Sequence, residues 1–259
     1  MANLDDFVLT SKGPRHRSQV HRVRGGSRVR RSEAIWQIRS PQTTNWRQLE
    51  TASPHELPQP ATGGWISWAD WRNMTQVSIS RFVATWQVPP APTKADGQLI
   101  YLFNGLQDAN GQHILQPVLQ WGASPAQGSG NAWGLASFWV GQSTDPMFCS
   151  EWVEVASGVA VTGRITVATL QNGFSSCTCE FDGFPGTQLT AENLPSLVDC
   201  VLTLEAYNTG PDAPYPNAST TDFTAVALDT GEGAPAVTWT GYGSAVIKAN
   251  GDVEVVYPS

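Results

Sequence analysis

From Trp65 onward the chain gathers its apolar residues into short runs bounded by turn residues. FVATWQV (82–88) ends at Pro89-Pro90, QLIYLFNGLQ (98–107) at Asp108-Ala109-Asn110-Gly111, and HILQPVLQWG (113–122) at the Gly/Ser-rich ASPAQGSGN. AWGLASFWVG (132–141), SEWVEVASG (150–158), VAVTGRITVATL (159–170), CTCEFDG (177–183), VDCVLTLEAYN (198–208) and FTAVALDTG (223–231) continue the series. AVIKANGDVEVVY (245–257) sets Asn250-Gly251 between alternating segments, the strongest hairpin signal in the chain. Runs this short, rich in β-branched and aromatic residues, form strands. Only TAENLPSLV (190–198) reads as a helical turn. About ten strands without a fixed repeat predict an all-β fold, an antiparallel two-sheet β-sandwich of concanavalin A-like or jelly-roll type.

HILQPVLQWG is the unusual strand. Side chains alternate between faces, so His113, Leu115, Pro117, Leu119 and Trp121 share one face while Ile114, Gln116, Val118 and Gln120 share the other. Two amides among aliphatics, beside a proline that donates no ladder hydrogen bond, mark either a solvated edge or the wall of a cleft.

Residues 1–60 follow another pattern. They are basic, then Pro-rich (SPHELPQPATGG), with little periodicity. They read as a partly disordered N-terminal arm, pro-segment and linker, leaving 61–259 as the β-sandwich domain. Residues 1–50 hold ten of the fifteen Lys and Arg but four of the twenty-two acids, a local charge of about +6. The remainder carries five basic and eighteen acidic residues, about −13. A basic arm attracts such a body, and an acidic body argues against a nucleic-acid partner. No run of 18 apolar residues occurs, so no membrane helix is expected. The first twenty residues lack the apolar core of a secretory signal. Cys149, Cys177, Cys179 and Cys200 suffice for two disulfides. Since Cys200 shares an apolar face with Leu202 and Leu204, it is expected to pair with Cys177 or Cys179, leaving the other for Cys149.

Common catalytic signatures are missing: no GxSxG, HExxH, GxxxxGK[ST] or GxGxxG. Three of the four histidines lie in the arm or linker, so a nucleophilic triad would depend on His113, which reads as a packed residue. Carboxylates say more. In CTCEFDG, Cys177, Cys179 and Phe181 form a core-like face and Glu180 points away from it. Glu205 likewise opposes the Cys200, Leu202 and Leu204 face, while Glu151 and Glu154 fall on opposite faces of their segment.

These strings together suggest a family. FVATWQVPP resembles the ATWTVP-type strand of the eqolisins, the glutamic peptidases, and FNGLQD stands where they have WVGIDG. HILQPVLQWG is similar to their AILQTG segment and AWGLASFWV to the tryptophan-rich strand that follows. TVATLQNGFSSCTCEFDGFPGTQL resembles their TATSxxSGxATIENLTTGQ region. The resemblance spans roughly residues 80–190. It departs from the family at Gln107, which replaces an aspartate, and in SFWVGQ, which lacks a glutamate. It implies a cleft on one concave sheet and acid hydrolysis of a polypeptide substrate by a secreted monomer with a propeptide, without cofactor or metal. Gln116 and Glu180 take the places of the catalytic pair, and Gln107, Gln120, Trp121 and Trp139 are expected to contact substrate. A glutamate in a partly apolar cleft exchanges protons in acidic solution. An amide donor to the oxyanion supplies about 10²–10³ in rate. The arm is then expected to inhibit until acid loosens it.

Two rivals use the same residues. Eight tryptophans (Trp65, Trp68, Trp71, Trp86, Trp121, Trp133, Trp139 and Trp152) and three amides suit a non-catalytic carbohydrate-binding sandwich. Glu180 with Glu154 or Glu205 suits a jelly-roll glycoside hydrolase, which needs two carboxyls about 5–9.5 Å apart. Whether Glu180 faces Gln116 or another carboxylate separates these readings.

Overall fold

Alternation does produce strands. A computed structural model describes residues 7–10, 12–33, 35–50, 63–75, 77–124, 126–128, 130–169 and 174–258. The arm contributes β1 (Phe7–Val8), β2 (Arg15–His16), β3 (Val20–Arg22), β4 (Ser27–Ser32), β5 (Ile35–Arg39) and β6 (Arg47–Gln48). Next come β7 (Gly63–Arg72), β8 (Ile79–Gln87), β9 (Leu99–Asp108), β10 (Ile114–Trp121), β11 (Trp133–Val140), β12 (Met147–Cys149) and β13 (Val153–Val155). The C-terminal part supplies β14 (Ala160–Thr169), β15 (Ser175–Phe181), β16 (Phe184–Leu194), β17 (Leu197–Tyr207) and β18 (Thr220–Thr230). Three short strands close the chain: β19 (Thr240–Tyr242), β20 (Val246–Ile247) and β21 (Val253–Val256).

Two sheets pack as the expected sandwich. The first runs β19-β7-β17-β9-β10-β11-β12-β3, with β13 also on β11; the second runs β20-β21-β18-β8-β14-β15-β16-β4-β5-β6. Between the sheets, Leu102, Leu106, Leu115, Leu119, Leu202 and Leu204 of the first meet Phe82, Trp86, Ile165, Cys177, Cys179 and Phe181 of the second. The pleat turns the intervening residues of β9, β10 and β17 to the outer face of the first sheet. Asn250-Gly251 makes the predicted hairpin between β20 and β21, with Gly251 at φ 87°. The predicted turn at 190–198 is instead the junction of β16 and β17. There Ser175 pairs with Leu194 but Ser176 with Glu192, so Asn193, at φ 58°, is an extra residue that returns Leu194 to the core.

The arm is built into both sheets. Val29, Trp36 and Ile38 are buried in the interlayer core, because SRVRRS and IWQIR alternate with period two around a polar face of arginines. The pairings of β3 with β12 and of β4 with β16 are parallel, whereas the other strand pairs are antiparallel. Val8 and Leu9 pack on the outer face of the first sheet among Tyr101, Phe103 and Tyr207. The expected boundary near residue 60 falls in 51–62, outside the described residues.

All four cysteines are free and buried, so the expected disulfides are not formed. Cys177 and Cys179 lie in the second sheet and Cys200 in the first. Cys149 packs on the outer face of the first sheet. Burial pushes the Cys149 and Cys177 thiols up to about 12.

Trp36 tests how far the arm belongs to the fold. It is buried against Phe148 and Trp139. Trp36→Ala should destabilise by about 3–5 kcal/mol and lower the single melting transition of the whole sandwich. An unchanged transition in calorimetry would mean that the arm is a detachable tail.

Candidate active site

On the outer face of the first sheet, register brings four side chains into one row. Glu205 of β17 pairs with Tyr101 of β9, Tyr101 with Gln120 of β10, and Gln120 with Gly134 of β11. A bulge in β7 lets Trp65 face Glu205 from the other side. With neighbouring strands about 4.8 Å apart, Glu205 and Gln120 stand roughly 10 Å from each other across Tyr101. Gln116 lies one pleat beyond Val118, in the row that holds Gly105, Val201 and Asp70.

Glu205 is fully buried (0 % exposed), and its Oε1 accepts a hydrogen bond of 2.7 Å from the Tyr207 hydroxyl. Burial raises its pKa from 4.5 to about 7, although the Tyr207 bond and the Lys12 charge pull the other way. Lys12 of the arm sits 5.7 Å over the Trp65 ring and donates to Gln107 Oε1. Its own pKa is lowered by burial, against the charges of Asp108, Glu205 and Asp199. Gln120 is completely buried; its Nε2 donates to Gly122 O (2.8 Å) and Gln127 O (3.1 Å), bracing the loop that follows β10. Oε2 of Glu205 and the side-chain Oε1 atoms of Gln116 and Gln120 have no hydrogen-bond partner among the described residues.

Peptide backbone occupies this face. Tyr101 donates to the carbonyl of Leu9 (3.3 Å), and the Tyr207 hydroxyl lies 3.0 Å from the carbonyl of Thr10. A phenol has a single proton. When Glu205 is protonated it can donate to Tyr207, which then donates to Thr10; when it is ionised, the Tyr207 proton turns to the carboxylate.

A second contact fastens the arm nearby. His113 Nδ1 is 2.9 Å from Asp108 and its Nε2 3.5 Å from Asp145, with the ring stacked on Trp139. Asp145 also accepts from the arm, from Arg31 Nη1 and Trp36 Nε1, each at 3.4 Å. Burial alone would raise the pKa of Asp145, but the His113 bond, the Arg31 charge and the Gln142 and Trp36 donors outweigh it and hold it below 3.8. His113 is raised, first by its bond to Asp145.

Gln107, Gln116 and Gln120 therefore share the outer face of the first sheet, but Glu180 does not join them. It lies on β15 of the second sheet, pointing away from the core face of Cys177, Cys179 and Phe181, and accepts from Gln188 (2.7 Å). Gln116 and Glu180 thus sit on opposite outsides of the sandwich. The same geometry separates Glu180 from Glu205 and from Glu154, which pairs with Gly134 in the first sheet, so the glycosidase carboxyl pairs do not form either. Trp121 and Trp139 are interlayer core residues, 4 % and 1 % exposed, and are closed to substrate. Glu205 is the buried carboxylate of this face, and its mark in the sequence is an acid and a tyrosine two residues apart, on the face opposite Cys200, Leu202 and Leu204.

The chain has a peptidase-like β-sandwich fold. It is similar to scytalido-glutamic peptidase with a transition state analog inhibitor: 12 % identity over 76 % of this chain and 100 % of that one, TM-score 0.50. SCP-B, a member of the eqolisin family of peptidases in complex with the tripeptide Ala-Ile-His, aligns over the same shares at 14 % identity with a TM-score of 0.45. No protein-family model and no curated protein matches the chain.

Because the folded pKa of Glu205 is raised, its contribution to stability is whole below about pH 4.5 and is lost as pH rises through about 7. The loss is on the order of 3 kcal/mol. Urea midpoints between pH 4 and 8 should therefore fall more steeply in the wild type than in Glu205→Gln, which keeps only the drift that His113 contributes. Parallel curves would sink the assignment.

Proposed function

We propose that this chain is an acid-acting endopeptidase of glutamic type, held closed by its own N-terminal arm, with Glu205 as the proton-exchanging group. One observation carries the reading: two consecutive peptide carbonyls, of Leu9 and Thr10, rest on the hydroxyls of Tyr101 and Tyr207 beside the buried Glu205 carboxyl. A face that holds the arm's backbone in this way suits an extended polypeptide substrate. With the arm gone and water admitted, Glu205 returns toward the ordinary carboxylate range, where it works in acid. As carboxylate it takes a proton from the attacking water, and as acid it delivers one to the departing amine. Tyr101, its cross-strand neighbour, supplies a donor for the developing oxyanion. Gln116 lies further along the same face, where its amide can bind the substrate chain.

Cleavage of a denatured protein between pH 2 and 6, with pepstatin present, tests this assignment. Glu205→Gln should lower activity by about 10²–10⁴-fold and Tyr101→Phe by up to about 10²-fold, while Glu180→Gln retains it. Loss in Glu180→Gln with retention in Glu205→Gln would reverse it.

The arm's release follows the sign of Asp145. Its lowered pKa means that the contacts to Arg31 and Trp36 are whole above about 3.8 and fail as pH falls below it. Hydrogen exchange over residues 27–39, corrected for intrinsic rates, should show protection at pH 5 that is lost below about pH 3.8. Asp145→Asn should already lack it at pH 5. Equal protection in the variant would refute the latch.

A further inference from the structure

Beyond Gln120 the row of Glu205 and Tyr101 continues to Gly134, where a Cβ would overlap the indole of Trp152. A cavity of 650 Å³ opens there, lined by Trp152, Gln127, Ser150 and Glu151 and, from the arm, by Arg22 and Arg24. Its chemistry is unfinished. Gln127 is 3 % exposed, yet among the described residues neither its Oε1 nor its Nε2 has a partner, and the buried Nε1 of Trp152 has none either. An unpaired buried amide is a standing loss of stability that an apolar side chain of the same size would avoid, so a carboxamide here points to a ligand.

The surroundings narrow the ligand's class. Arg22 is already engaged by the carbonyl of Ala126. The remaining charges, Arg24 and Glu151, oppose each other, so the cavity selects no particular sign. The edge of Met147–Cys149, one place where an extended peptide could add, is taken by Val20–Arg22. What remains is an indole surface and one amide with both a donor and an acceptor to spare. We propose that this cavity binds a neutral pyranose unit. The sugar's C–H face lies on Trp152 and two adjacent hydroxyls pair with the Gln127 carboxamide. The proposal is independent of peptidase activity and of Glu205.

Isothermal titration of the full chain at pH 6 with cellobiose, maltose, lactose and N,N′-diacetylchitobiose tests it. At least one should bind with a Kd of about 0.1–1 mM. Gln127→Leu should weaken that sugar at least about tenfold while keeping the melting temperature at or above that of the wild type, since the amide it removes has no partner. Trp152→Ala should weaken it comparably. No binding of any of the four tighter than about 10 mM, or unchanged binding in Gln127→Leu, overturns the proposal. Preferential binding of N-acetyl-glutamine amide at this cavity overturns it as well, and would assign the site to a peptide side chain.

Discussion

The first sheet has no wet face in its middle. Every residue of β9, β10 and β11 is buried, because the second sheet covers one side and the arm, through Val8 and Leu9, covers the centre of the other. Polar side chains trapped on that outer side must find partners or stay unpaired at a loss. Tyr101 and Tyr207 find the arm's carbonyls; Glu205 finds Tyr207 and stays protonated to near neutrality; Gln107 finds Lys12. The candidate site is the list of solutions to one desolvation problem.

The same covering explains the charge distribution. An arm that spans an acidic body needs cations where it crosses carboxylates, and Arg28 meets Glu192 while Arg31 meets Asp145. Arg15 goes deeper: it is fully buried and donates to the carbonyls of Lys12, Pro14 and Gly141, so it binds backbone and ties the arm to the end of β11. Arg30 and Arg39 flank the Trp46 ring and hold the arm's own hairpin. The basic residues are therefore divided between docking and internal structure, which net charge alone cannot reveal.

Much of this was readable from alternation. The faces of HILQPVLQWG are as the pattern sets them, with Gln116 and Gln120 outward and Leu115, Leu119 and Trp121 inward. Alternation also turned Glu180 correctly away from the core. It could not say which of the two sheets β15 joins, and a sandwich has two outsides, so Glu180 lies on the one opposite Gln116. Trp121 was nominated for its ring although its position already marked it as core. The arm escaped because arginine on the polar face of SRVRRS masks a period-two pattern, and because its parallel pairings with β12 and β16 are non-local. Glu205 gave the weakest signal: one acid in LTLEAY acquires its meaning from a bulge in β7 and from an arm nearly two hundred residues away.

Two of the contacts that hold the arm respond to pH with opposite signs. Burial under the arm favours the protonated form of Glu205, so by linkage the protonated form favours the docked arm. That preference fades as pH rises through about 7, when Tyr207 turns its proton from Thr10 to the carboxylate. Asp145, whose pKa is lowered, holds Arg31 and Trp36 above about 3.8 and lets go below it. His113, raised by Asp145 and Asp108, keeps that cluster neutralised through mildly acidic pH. The arm is thus fastened best between these limits. Acid leaves the Glu205 contact intact and weakens the Asp145 one, so the proposed release would begin at the β4–β5 hairpin, with the segment over Glu205 following.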